Sequence, residues 1–320
     1  MVASRASSTL NGTASHGAPG YFVWFVRFGL VLLMLCGLIY IGICSYMAWS
    51  LTRVERNAFT HFPDAYGLAY ESVTFPSRID AIKLDGWLLP ASGTRARLPI
   101  IFVHGKGSDR QAEAGGHMLD IAAQLVRDGH PVLLFDLRGS GRSDGDRFTL
   151  GAQEGRDVGG AIDFLVSRGL ANDGVDILGF SMGASTSLLL APTESRVQAI
   201  AEDSGYATLG EILDEQAPKA SGLPSFFTPG MVFMARPLLG IDAYAIRPVD
   251  GMPGLAARGT RLLVIHGEAD QTVPVSNGHE LAAAYGPGAA TYFVPGAGHV
   301  ASYAADPSTY FVRLLSLFDR

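Results

Sequence analysis

Charge is scarce in this sequence. Asp, Glu, Lys and Arg make up only 17% of the residues and balance to −6 at pH 7, with no basic run that would grip phosphates. Nucleic acid is therefore not an expected partner. Cysteine is scarcer still. The two cysteines, Cys36 and Cys44, both lie in one apolar stretch near the N-terminus, so the rest of the chain can form no disulfide. Leu35 and Ile43 precede them where a lipoprotein processing site would carry a small residue, which disfavours lipid attachment. The eight histidines are scattered, without H-E-x-x-H or C-x-x-C spacing, so neither a metal nor another cofactor is expected. No internal repeat is visible.

Apolar residues are plentiful, at 48% of the chain, and one excess is local. Residues 28–52 carry no charge and are bracketed by Arg27 and Arg53. The run is long enough to span a bilayer, whereas the apolar region of a cleaved signal peptide is about 7–15 residues. Tyr21 and Trp24 at one end, with Tyr46 and Trp49 at the other, suit two membrane interfaces. Residues 21–53 are read as a single transmembrane anchor, the alternative being a buried core helix. Arg5 and Arg27 before the span tie with Arg53 and Arg56 after it, so positive charge does not set the orientation. The lack of thiols downstream suits an oxidising compartment and slightly favours an extracytoplasmic domain. Residues 1–20, rich in Ser, Ala, Gly and Thr, read as a disordered tail.

Residues 54–320 read as one catalytic-size unit. Residues 72–75 and 83–90 suggest an antiparallel lead-in pair. Residues 99–103 and 131–135 are continuous apolar runs, the pattern of parallel strands covered on both faces, and 175–179 and 261–265 follow the same plan apart from Asp176 and Arg261. Apolar residues recur at helical spacing over 118–127, 153–167 and 184–190. The alternation predicts an α/β fold with a doubly wound, mostly parallel sheet. Ligands of such sheets bind beyond the carboxyl ends of the strands.

Gly179-Phe180-Ser181-Met182-Gly183 stands there, between an apolar strand and a small-residue helix. A nucleophile elbow needs glycines at those places to let strand and helix approach, and it lifts the serine hydroxyl into the site. Serine needs a base, and the base needs an acid to fix its tautomer, with chain order Ser, acid, His. His299, in the loop Pro295-Gly296-Ala297-Gly298-His299 after a strand at 291–294, is the candidate base. His279 falls in a helix over 276–285 and reads as surface, while His266 ends a strand and reads as a packing residue. Asp270, just after the strand at 261–265, is the candidate acid, with Asp203 one strand earlier as the alternative. For the oxyanion, the donors are the backbone N–H of Met182 and that of Lys106 in His104-Gly105-Lys106-Gly107. The Lys106 side chain reads as solvated and His104 as structural.

Together these motifs resemble the serine branch of the α/β-hydrolase superfamily, over roughly residues 70–320. Asp136-Leu137-Arg138-Gly139-Ser140-Gly141-Arg142-Ser143 is similar to that superfamily's D-x-R-G-x-G-x-S turn, which implies a structural role for Asp136 and Arg138. The apolar span followed by a Gly-Phe-Ser-Met-Gly elbow is most similar to membrane-anchored hydrolases labelled serine aminopeptidase-like. Haloalkane dehalogenases and epoxide hydrolases of this fold use an aspartate nucleophile, which Ser181 excludes. The resemblance implies an ester, thioester or amide hydrolase working through an acyl-enzyme. Its substrate would be a small molecule, a lipid-derived compound or an acylated peptide. The other reading is an inactive scaffold that binds a partner at the membrane.

Residues 205–253 are irregular in pattern and read as a short cap over the site. Tyr206, Leu213, Phe226, Phe227, Met231, Phe233, Met234, Leu238 and Leu239 are expected to line an apolar pocket there. Oligomeric state is not encoded in any motif.

Overall fold

A computed structural model describes residues 20–54, 56, 58–92 and 97–319 of the chain. The tail expected over residues 1–20 lies outside them, apart from Gly20. Eight strands form one sheet: β1 Glu71–Pro76, β2 Lys83–Leu89, β3 Ile100–Val103, β4 Val132–Phe135, β5 Val175–Phe180, β6 Val197–Asp203, β7 Arg261–Gly267 and β8 Ala290–Val294. Their order across the sheet is β1-β2-β4-β3-β5-β6-β7-β8. β1 and β2 pair antiparallel and β2 joins β4 antiparallel, whereas β4, β3, β5, β6, β7 and β8 run parallel. Every residue of β3, β4 and β5 is buried, which is why β3 and β4 read as unbroken apolar runs and β5 is apolar apart from Asp176.

The helices are α1 Gly20–Leu51, α2 Met118–Arg127, α3 Gly155–Ser167, α4 Met182–Leu190, α5 Leu209–Ser221, α6 Phe227–Leu239, α7 Met252–Arg258, α8 Ser276–Tyr285, α9 Ser302–Ala305 and α10 Pro307–Phe318. α2 and α10 cover one face of the sheet, where Met118, Ile121, Leu125, Tyr310 and Leu314 pack on Ile100, Phe102 and Leu134. On the other face Val158, Ile162, Leu188, Leu255 and Leu281, from α3, α4, α7 and α8, meet Ile101, Val103, Leu133 and Ile177. The sheet is thus doubly wound, as its sequence pattern predicts.

The cap region is more regular than its pattern suggests, because α5 and α6 continue through Pro218 and Pro237, each in a last turn. Its root is fastened to the helix that follows Ser181. Tyr206 N–H donates to Ser185 Oγ at 2.8 Å and the Ser185 hydroxyl donates back to Tyr206 O at 3.0 Å. The pocket expected from the cap's apolar residues forms only in part. Tyr206, Leu213 and Met231 are buried in the core and Leu238 and Leu239 line a cleft, but Phe226 and Phe233 face outward. A helix in contact with the domain along one side must turn its other side away, and α6 does so with apolar residues.

α1 is exposed on every side from Tyr21 to Ile39. Beyond that point Tyr40, Ile43, Cys44, Met47, Ala48 and Leu51 form a stripe at i, i+3, i+4, i+7 spacing that is wholly or partly buried, with α6 as its principal partner. Both cysteines are free, Cys36 on the exposed part and Cys44 in the stripe.

Where the lead-in pair joins the parallel sheet, Trp87 is buried among Phe59, Phe62 and Tyr70, with ring centroids 5.5, 5.6 and 5.8 Å away. The Arg110 guanidinium lies over the Trp87 ring at 4.7 Å and bonds the Asp136 carboxylate at 3.0 Å, so one indole supports the turn after β4 as well as the sheet edge. Trp87→Ala is expected to cost about 3–5 kcal/mol, as for other buried aromatic truncations. A melting temperature in detergent unchanged from wild type would refute that placement of the core.

Candidate active site

Ser181 sits between β5 and α4 with φ 50° and ψ −121°, a conformation that L-residues rarely adopt. Its N–H donates to Asp203 O at 2.8 Å, which ties the turn to the end of β6. The flanking glycines make the turn possible. A Cβ on Gly183 would lie 2.2 Å from Val103 O and 2.4 Å from His104 O, and one on Gly179 would lie 2.6 Å from the Ala184 Cα. Any side chain at either place would push α4 off β3 or β5.

His299, in the loop after β8, reaches the serine. Its Nε2 is 2.9 Å from Ser181 Oγ, and its Nδ1 is 2.7 Å from Asp270 Oδ2. The hydroxyl can donate to Nε2 only in the tautomer with the proton on Nδ1, which is the tautomer the carboxylate favours. Asp270 is buried, and Thr272 and Val273 N–H donate to its Oδ1 at 2.8 and 2.9 Å, leaving Oδ2 for the imidazole. Burial opposes its charge, but the bonds from His266, His299 and Val273 hold the carboxyl well below the usual carboxylate range.

Asp203 lies elsewhere in the arrangement. It is fully buried, accepts from the Ser204 hydroxyl at 2.9 Å on Oδ1 and from the Tyr310 hydroxyl at 3.0 Å on Oδ2, and makes no bond to His299. Ser204 Oγ in turn accepts from Val300 N–H at 3.2 Å, beside His299. Asp203 therefore anchors the histidine loop through hydroxyls. Burial pushes its carboxyl up to about 6.

On the other side of Ser181, a Cβ on Gly105 would lie 3.0 Å from the Ser181 Cβ, so the loop after β3 runs against the nucleophile. Glu113 Oε2 accepts the Gly105 N–H. Lys106 is the next residue of that loop. Met182 opens α4, and amides of a first helical turn have no intrahelical acceptor. The Lys106 ammonium is on the exposed side, 5.7 Å above the Phe148 ring. His104 Nε2 accepts the Leu137 N–H at 3.0 Å and its Nδ1 donates to Gly105 O at 2.8 Å, so this histidine joins the ends of β3 and β4. Glu113, Ser204 and Tyr310 carry no sequence signal, since none belongs to a motif and Tyr310 meets Asp203 only across 107 residues.

Two other histidines behave as read. His266 donates from Nε2 to Val273 O at 2.8 Å and closes the Asp270 loop, and His279 is exposed with its ring against Phe293. Arg138 bonds Asp157 at 2.7 Å and Asp80 at 2.9 Å, away from the serine. Among the described residues one group has metal-ligand spacing, Asp128, His130 and Asp319. Arg97 pairs with both of its carboxylates, at 3.3 Å for Asp128, which makes it a set of ion pairs. A cleft of about 300 Å³ lies between the end of α1, the end of α6 and Phe148, lined also by Leu238, Leu239 and Ile241. A cleft of about 820 Å³, walled by Leu98, Pro131 and Asn172, opens at the amino ends of β3, β4 and β5, the end opposite Ser181.

Residues 80–228 match the family model described as X-Pro dipeptidyl-peptidase (S15 family). The chain is 27% identical over 279 residues to the uncharacterized protein YfhR of Salmonella typhi, covering 82% of this chain and 86% of that protein. Among solved structures it resembles the esterase Pf2001 of Pyrococcus furiosus, with TM-score 0.69 and 21% identity over 84% of this chain and 98% of that one. It also resembles the alpha/beta hydrolase GrgF from Penicillium sp. sh18, with TM-score 0.61 and 21% identity over 79% and 99% of the two chains. The chain has the α/β-hydrolase fold.

Proposed function

We propose that the protein is a serine hydrolase that cleaves an ester, thioester or amide through an acyl-enzyme, held at a membrane by α1. The relay from Ser181 through His299 to Asp270, at 2.9 and 2.7 Å, is the observation that carries this reading. Ser181 Oγ attacks the carbonyl carbon as its proton passes to His299 Nε2, and the carbonyl electron pair moves to oxygen. The N–H groups of Met182 and Lys106 hold that oxyanion. Collapse breaks the bond to the leaving group, which takes the proton from His299. Water then repeats the sequence on the acyl-enzyme, releasing the acid and restoring the serine. Asp270 stays ionised throughout, fixing the tautomer and balancing the imidazolium. The match to a dipeptidyl-peptidase model and the likeness to an esterase leave the acyl and leaving groups to experiment.

The membrane reading is supported by the sides of α1 that nothing covers. From Phe28, about 20 residues of helix cross a hydrocarbon core of about 30 Å. Arg27 then stands at one boundary, and Tyr46 and Trp49 lie near the other.

A fluorophosphonate probe is expected to label the wild type and not Ser181→Ala. Failure to label the wild type would count against catalysis altogether and favour the scaffold. Asp270→Asn is expected to lower kcat on p-nitrophenyl esters by about 10³–10⁴-fold, the loss expected when the base is left in the wrong tautomer. Asp203→Asn should keep most of its turnover, and the reverse pattern would move the acid to β6.

Asp203 also carries a pH signature. Its folded-state proton affinity is raised, so its contribution to stability is complete below about pH 4 and is lost as pH rises through about 6. Asp203→Asn is expected to gain about 2–3 kcal/mol relative to wild type between pH 4 and pH 8. Thermal unfolding in detergent across that range would measure it, and a difference flat in pH would contradict the burial of a titrating carboxyl.

A further inference from the structure

The outward face of the cap helix is apolar, and its position beside α1 says what covers it. Residues 220–235 carry no charge, with Lys219 before them and Arg236 after. Phe226 and Phe233, seven residues apart on one side of α6, are 60% and 72% exposed. Leu223 in the preceding turn is half-buried. An apolar helical face left in water is costly, and such faces mark a binding surface.

The packing of α6 on α1 fixes where this face lies. The Tyr40 hydroxyl donates to Phe226 O at 2.9 Å, and the Tyr40 ring stacks on Phe227 at 5.2 Å. One turn further along both helices, a Cβ on Gly230 would meet Cys44 Sγ and Tyr40 Oη, each at 2.5 Å. Near the far ends, Thr52 and Leu239 line the same cleft. The two helices therefore run side by side in the same direction, with the start of α6 beside Tyr40 and its end beside the end of α1. A small residue at the crossing lets them approach closely.

If Arg27 marks one membrane boundary, the other falls near residue 47, about 20 residues on. Tyr40 is seven positions short of that level, or about 10 Å deeper at 1.5 Å per residue. We infer that the turn between α5 and α6, with the first turns of α6, is seated in the bilayer beside α1, placing Phe226 and Phe233 in the lipid interface. The occupant of this face is the phospholipid bilayer. The inference rests on the anchor reading of α1 and adds that the cap has a membrane contact of its own. Arg236, past the end of the uncharged run, is 75% exposed and pairs with Asp242 at 3.3 Å, as suits the aqueous end of the helix. The cap root is bonded to α4, so the bilayer holds one end of the cap and the helix beginning at Met182 holds the other. Substrates that partition into the outer layer of lipid would meet the cap before they meet water.

The test uses the full chain in phosphatidylcholine vesicles, with Cys36→Ser and Cys44→Ala removing the native thiols. Single nitroxide labels are placed by Leu32→Cys in the span, Phe226→Cys and Phe233→Cys on the cap, and Val312→Cys on the exposed side of α10. Oxygen and nickel-chelate relaxation then report depth. The expected result is bilayer depth at 32, a depth of about 5–10 Å at 226, as for an interfacial helix, a shallower lipid position at 233, and water at 312. An aqueous signal at 226 and 233 with position 32 in lipid would overturn the inference and leave the anchor standing. An aqueous signal at position 32 would overturn both. Spin exchange between labels at 226 without lipid depth would assign the face to a second copy of the chain and likewise overturn it.

Discussion

The site depends on one backbone constraint, the left-handed conformation of Ser181 at the carboxyl end of β5. A non-glycine residue held there costs of order 1–3 kcal/mol unless the surroundings over-determine it. Three contacts do so here. Gly183 presses α4 onto the ends of β3, Gly179 lets α4 start directly above β5, and Asp203 O takes the Ser181 N–H. Relaxing the turn would break the bond to β6 and lift the first turn of α4 away from its neighbours. The strain thus fixes the hydroxyl and the Met182 amide together, and those are the two groups that an acyl transfer needs on opposite sides of one carbonyl.

A second layer of buried polar groups extends from that turn. Glu202 and Asp203 end β6 side by side, both fully buried, and burial pushes Glu202 up to about 8. Two adjacent carboxyls in a core would repel each other if both were ionised. Asp203 answers with hydroxyl donors from Ser204 and Tyr310, and Glu202 Oε2 with the Gly205 N–H at 2.9 Å. Asp270 is stabilised differently, by two amides and two imidazoles, and is held in its charged form. Neighbouring carboxyls with proton affinities pushed in opposite directions divide the work, one kind supporting the loops and the other facing His299.

Much of this was legible in the sequence because it is local. The continuous runs of β3 and β4 follow from burial on both faces, and α2 and α8 fall where helical spacing places them. Gly179, Ser181 and Gly183 announce their turn because only glycine fits there. Choosing between Asp270 and Asp203 was harder, since Asp203 ends one parallel strand and Asp270 lies in the loop just after the next. What separates them is which residue faces His299, and that depends on the fold of two distant loops. Glu113 was not legible for a different reason: its bond to Gly105, eight residues away, closes across a loop that has no periodic pattern. The cap misled in another way. Its apolar residues look alike in the sequence, yet helix geometry sends Leu213 and Met231 inward and Phe226 and Phe233 outward.

That division of the cap's side chains changes what the apolar excess means. Counted by composition, the phenylalanines of the cap would deepen a pocket beside Ser181. Counted by direction, they extend the surface of α1. The cleft near Phe148 is built instead from Leu238, Leu239 and Ile241, at the end of α6 that points away from the start of the cap helix. The apolar surface over the first turns of the 13-residue α6 and the cleft at its end both lie within about 20 Å along the helix. On the proposed seating in the bilayer, the cap would reach from lipid towards the domain and would be too short to set the site far from the membrane surface. A membrane-held hydrolase could reach a bilayer-dissolved substrate either by projecting far on a flexible stalk or by keeping the domain against the lipid. The packing of α6 on α1 corresponds to the second arrangement, because a stalk would leave Tyr40, Cys44 and Met47 without partners.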